Sequence, residues 1–173
     1  VASDSLLMSG VTLRRADLSS AKLPDCELRN VRAEELNLSG AELRRATIRG
    51  RFSGACLADA DLSEGRLLYF FARGLQAPRL KARGCRVERM GLLDADLSGA
   101  DLSHLQAEHG VILRRARLRN ARLCGASLPG AHLQKADLSG ADLTAASMVG
   151  ADLRRADLRG ATLHGADLRG VDL

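Results

Sequence analysis

Large apolar residues fall on every fifth position of this chain. Taken as the centres of five-residue repeats, they run from Met8 through Leu13, Leu18, Leu23, Leu28, Ala33, Leu38 and Leu43 to Ile48, and again without a break from Leu113 to Leu173. A period of five matches neither the 3.6 of a helix nor the 2 of a strand. It is the side length of a coil that winds round and stacks on itself, so the pattern predicts a solenoid. Two positions before each centre stands a second apolar residue, usually alanine. The other three positions are mostly Asp, Arg, Ser, Gly or Thr, so centre and small slot are both predicted to face inward. Coils of one shape then stack leucine on leucine and alanine on alanine, and each depends on its neighbours to bury its core.

The beat slips twice. Phe52 follows Ile48 by four residues, and the shifted register runs through Leu57, Leu62 and Leu67 to Leu102 and Ala107. One extra residue then lies between Glu108 and Ile112, so the deletion and the insertion cancel. These slips, near 49–52 and 108–112, are read as bulges or tightened corners in a continuous stack. No Pro/Ser-rich linker interrupts the chain, and residues 1–173 are expected to form a single domain. In the middle the sizes invert: Phe70 with Ala72, Leu75 with Ala77, Leu80 with Ala82 and Leu105 with Ala107. The large residue takes the small slot and volume per repeat is roughly kept, as a close-packed interior requires.

The tripeptide Ala-Asp-Leu recurs nine times on this beat, as at Ala95-Asp96-Leu97, Ala136-Asp137-Leu138 and Ala166-Asp167-Leu168. The run A-D-L-x-G resembles the pentapeptide-repeat family from Met8 to Leu173, except that the centre is mostly Leu, with Phe52 its sole aromatic. The resemblance implies an all-β fold, a right-handed quadrilateral β-helix with four repeats per coil and about eight coils. It also implies short bridges and turns as much as regular strands.

Net charge is +5, from 26 Lys+Arg against 21 Asp+Glu, which a rod with most residues exposed carries as a mixed, solvated surface. No 18-residue apolar run predicts a membrane span, and no secretory signal opens the chain. Cys26, Cys56, Cys85 and Cys124 form no C-x-x-C pair, so a zinc site is not expected; free thiols fit a reducing, cytoplasmic compartment. His104, His109, His132 and His164 occupy unrelated outward positions. No nucleophile–base pair, phosphate loop or metal cluster appears, so no enzyme activity, cofactor or metal is expected.

Three surfaces are candidates for partner contact. Arg114-Arg115, Gln134-Lys135 and Arg154-Arg155 lie 20 residues apart and should stack into a basic strip, with Asp137, Asp152 and Asp157 as partial compensation. Leu68, Tyr69 and Phe71 should point outward around an inward Phe70, with Leu93 widening the patch. The chain stops in repeat at Leu168, Val171 and Leu173, and the lead Val1 to Leu7 is too short to cap much. This suggests either a piece of a longer protein or a homodimer through the C-terminal coil.

The reading that fits best is a noncatalytic protein–protein interaction scaffold, part of a larger bacterial protein or a secretion or effector system, with a protein partner. The alternative implied by the family resemblance is a DNA-mimic modulator of DNA gyrase, of the quinolone-resistance kind. Such mimicry asks for a strongly acidic rod, and this chain is basic. A third reading is nucleic-acid binding through the basic strip, weakened by interleaved Asp and by the lack of aromatics there to stack on bases.

Overall fold

The computed structural model describes residues 5–173; of the N-terminal lead, residues 1–4 lie outside the described residues. The chain forms a β-solenoid whose strands are all parallel, and among the described residues no helix occurs. Six strands make one sheet in sequence order: β1 (Leu7–Ser9), β2 (Glu27–Arg32), β3 (Thr47–Arg51), β4 (Arg66–Phe71), β5 (Arg86–Gly91) and β6 (Gln106–Ala107). Thr12, Asp17 and Lys22 pair with the adjacent coil through single bridges and Glu27 through a strand ladder, at steps of five residues, which makes the coil four-sided. We label these sides B, C, D and A respectively.

The six strands account for five turns of side A, and single bridges carry the stack further. On side B the ladder runs Thr12, Arg32, Arg51, Phe71, Gly91, Ile112, His132, Asp152 and Asp172. The two apolar positions explain the burial. Leu38, Leu43, Leu118, Leu138 and Leu143 are fully buried centres, and Ala41, Ala46, Ala121 and Ala141 are fully buried slots. One apolar core joins Cys26 through Leu153. Burial weakens in the end coils, where each centre has a neighbour on one face only: Leu13, Leu18 and Leu23 are half-buried, and Leu163 and Leu173 are exposed.

Corners follow from the two residues after each centre. Ala141 N–H donates to Leu138 O at 3.0 Å, and the bond repeats at Ala121–Leu118 and Ala146–Leu143. The second corner residue is left-handed, as at Lys135 (φ 59°) and Gly150 (φ 67°), which a type II turn requires.

The deletion falls in β3. Leu28 pairs with Ile48, but Val31 pairs with Gly50, so two corner residues below face one above. Gly50, at φ 154°, occupies the small slot, and a Cβ there would lie 2.2 Å from Val31 O. In the next coil its ladder partner is Phe70. The Phe70 ring packs on Phe52 with centroids 5.0 Å apart. The inverted coil leaves a dry void of about 20 Å³ among Leu57, Leu75, Leu80, Leu97 and Leu102; its apolar lining offers a water no partner. The insertion lies in the coil after β5: Gly91 pairs with Ile112 rather than with a residue 20 further on, and Glu108, His109 and Gly110 bulge outward, exposed. Both slips therefore sit on the corner between sides A and B.

Candidate interaction surface

At a regular corner two outward residues separate the centre from the next slot. Below the deletion these are Arg29 and Asn30; above it they are Leu68 and Tyr69. In β3 Arg49 alone does that work, so the A/B corner is cut back by one residue. The cut opens a groove of about 380 Å³ lined by Asn30, Val31, Arg32, Arg49, Gly50, Arg51, Tyr69 and Phe71. Val31 and Gly50 form its floor because the backbones of two coils approach there too closely for a side chain.

The notch carries three arginines and no acid among its lining residues. Arg32 and Arg51 are ladder partners on side B, so two like-charged side chains leave the backbone ~4.8 Å apart along the rod, an arrangement that is destabilising by itself. Neither they nor Arg49 forms an ion pair among the described residues, although Arg14, Arg15, Arg44 and Arg45 all do. Arg49 instead lies over the Tyr69 ring, 4.8 Å from its centroid, and Arg89 stands 5.5 Å from the same ring. The ring thus holds two guanidiniums by cation–π attraction while leaving their N–H groups free for an anion.

The aromatic cluster is less open than the sequence suggests. Phe70 is buried, and Leu68 and Tyr69 are half-buried, the latter between its two arginines. Phe71 is 43% exposed. Its ring packs against Gly91, where a Cβ would come within 2.8 Å of Phe71 Cδ1. Leu93 is half-buried on the next corner and does not extend this patch along side B.

The basic strip is on the B/C corner, and part of its charge is already satisfied. Arg115 grips Asp94 through Nε at 2.6 Å and Nη2 at 3.0 Å. Arg154 folds back on Asp152 of its own repeat and reaches Asp172 at 3.2 Å. These bonds hold Asp94 and Asp152 below the usual carboxylate range and raise Arg115 and Arg154. Asp137 is engaged by Arg119 and Asp157 by Arg159, so neither compensates the strip. Arg114, Lys135 and Arg155 are exposed and form no ion pair among the described residues. In the last coil Leu168 and Val171 are half-buried and Leu173 is 77% exposed.

Sequence reasoning found Tyr69 and Phe71 but not Arg32, Arg49 and Arg51. The signal was present in Arg49-Gly50-Arg51 at the four-residue step, with Arg32 one coil before. Among the described residues no cluster of His, Cys, Asp or Glu is placed to hold a metal, and no helix is long and apolar enough to cross a membrane.

A sequence profile for pentapeptide repeats matches eight copies over residues 13–50, 112–148 and 136–173. No curated protein sequence matches the chain. Among solved structures, the plasmid-mediated fluoroquinolone resistance protein QnrB1 is similar at 21% identity over 96% of this chain and 84% of its own, with a TM-score of 0.61. That likeness is one of fold. HetL, a pentapeptide-repeat protein involved in heterocyst differentiation regulation from the cyanobacterium Nostoc sp. strain PCC 7120, is 28% identical over 96% of this chain and 89% of its own, with a TM-score of 0.42.

Proposed function

The chain belongs to the pentapeptide-repeat family, and we propose that it is a noncatalytic scaffold that binds a protein partner through the A/B corner and side B. One observation carries this reading: Arg32, Arg49 and Arg51 converge without a carboxylate beside an exposed Phe71. Unpaired arginines next to an exposed aromatic ring are the residue types that dominate the energetics of protein interfaces. The four cysteines are free, and burial pushes the Cys26 and Cys85 thiols up to about 11 and about 12, which makes them inert core groups. They fit a reducing cytoplasm.

The test is affinity capture by the whole chain followed by reconstitution with the captured protein. Arg32→Ala/Arg51→Ala/Phe71→Ala should abolish the complex, and Arg114→Ala/Arg155→Ala should leave it intact. Inhibition of gyrase supercoiling at sub-stoichiometric amounts would instead favour the DNA-mimic reading, against which the +5 net charge speaks. Pairing of two copies through Leu168, Val171 and Leu173 is a separate proposal. A monomer by light scattering at micromolar concentration would defeat it.

A further inference from the structure

The side-B ladder changes character along the rod in a way no other side does. Thr12 is followed by the cations Arg32 and Arg51, then by the apolar or bare rungs Phe71, Gly91 and Ile112, then by His132 and Asp152. Asp152 is engaged by Arg154 and Gln134, so the far end is closed to a new cation. What stays open is a column from Arg32 to Ile112, cationic at one end and apolar at the other. Four ladder steps give it a length of ~19 Å, the reach of about six residues of extended chain.

Gly91 makes the column continuous. With no side chain there, the Phe71 ring occupies the space that a Cβ of the next coil would take. It forms a low apolar shelf leading from the notch to the half-buried Ile112. The notch at the other end is recessed because the corner has lost a residue, and its three guanidiniums have no counter-charge of their own. A ligand that relieves their repulsion gains from charge pairing as well as from contact.

We infer that this column is a docking site for an extended segment of a protein partner that carries clustered carboxylates at one end and large apolar side chains at the other. The carboxylates enter the Arg32–Arg49–Arg51 notch and the apolar side chains cover Phe71 and Ile112. The inference rests on the scaffold reading and names the chemistry of the partner's contact segment. The direction of the bound chain is fixed by the charge gradient, since the reverse placement puts apolar groups on guanidiniums and carboxylates on Phe71.

The experiment uses the full chain and fluorescein-labelled hexapeptides in fluorescence anisotropy. One peptide has three glutamates followed by three leucines, a second has the reverse order, and a third has six glutamates. The expected result is saturable binding of at least one block peptide, at least tenfold tighter than the all-glutamate peptide and weaker at high salt. Arg51→Glu should weaken it about tenfold or more, and Phe71→Ser several-fold. Arg155→Glu, on the B/C corner, should leave it within twofold. All three side chains are exposed, and circular dichroism of each variant confirms that the solenoid is retained. No binding by either block peptide overturns the inference, as does equal binding of the all-glutamate peptide or equal loss with Arg155→Glu. If a captured partner still depends on Arg32, Arg51 and Phe71 while the block peptides fail, the scaffold reading stands and only the extended acidic–apolar segment is rejected.

Discussion

The A/B corner of the first six coils and the stretch 113–173 are written in the same five-residue code. In the C-terminal stretch every centre is Leu or Met, every slot is Ala or Val, and the turn bond recurs at Ala131–Leu128, Ala136–Leu133 and Ala141–Leu138. Several of its acids are matched locally: Arg159 holds Asp157 and Arg169 holds Asp167 within single repeats, while Arg114, Lys135 and Arg155 stay outward on its surface. The A/B corner breaks the code at Gly50, Phe70 and Glu108–Ile112, and it is there that Arg32, Arg49 and Arg51 line a recess beside Tyr69 and Phe71. Regularity builds the rod, and departure from it creates the recess. A perfect repeat presents the same outline at every level and leaves no recess for a ligand.

The largest expected contrast between the two regions comes from adding one methyl group. Gly50→Ala should cost about 4 kcal/mol or more, since the new Cβ would sit 2.2 Å from the Val31 carbonyl oxygen. Gly150→Ala, at φ 67° with nothing within 4 Å, should cost only the left-handed penalty of about 1 kcal/mol. Urea unfolding of both variants measures the difference, and equal losses would mean that the cut corner can relax.

Core truncation comes next. Leu138→Ala in the regular stack should cost ~2–5 kcal/mol by opening a cavity. Leu75→Ala should fall at the upper end of that range, because its cavity joins the void of about 20 Å³ that Leu75 already lines. Adding Ala77→Leu restores the usual order of slot and centre in the inverted coil. The double variant should recover at least half of the Leu75→Ala loss. No recovery would show that the inversion is required by Phe70 rather than merely tolerated. Overpacking the regular half with Ala136→Leu should cost ~1–3 kcal/mol.

Much of this was legible in the sequence, for a physical reason. Each side is five residues long and each coil must fill the same cross-section, so the period, the inward pair and both slips show directly in Leu13, Ala16, Phe52 and Ile112. The notch was not legible. It depends on what Asn30 and Tyr69 do one coil either side of Gly50, and a linear pattern records only that one residue is missing. Charge pairing was hidden for a related reason. Arg115 meets Asp94, 21 residues before it, because the inserted residue lengthens that one coil, and a uniform spacing of 20 misses the partner. The N-terminal pairs, at the regular spacing, were readable: Arg14 and Arg15 meet Glu34 and Glu35.

The smallest expected effect is the pH dependence that both kinds of ion pair share. Hydrogen bonds from Arg159 lower Asp157 to about 2, against ~3.9 in an unfolded chain. The folded state therefore binds fewer protons, and the contribution is fully present above the unfolded value and lost as pH falls from about 4 towards 2. Asp25, Asp59 and Asp94, lowered by arginines of neighbouring coils, shift in the same direction. Thermal midpoints of Arg159→Gln and Arg79→Gln should thus fall slightly below the parent at pH 6 and converge with it near pH 2. A difference that survives at pH 2 would assign the effect to packing.

The fold-back of Arg159 onto Asp157 and of Arg169 onto Asp167 also bears on how such a rod can change length. A repeat that carries its own counter-ion can be copied or excised with its charge balance intact. Arg15 with Glu35, Arg45 with Asp25 and Arg79 with Asp59 are joined across coils, so a crossover between them parts both members. Duplication of a fold-back repeat therefore carries its counter-ion with it, whereas duplication of one member of a cross-coil pair adds an unmatched charge. Lengthening this protein by recombination should leave the notch and its column untouched while moving everything beyond them further away.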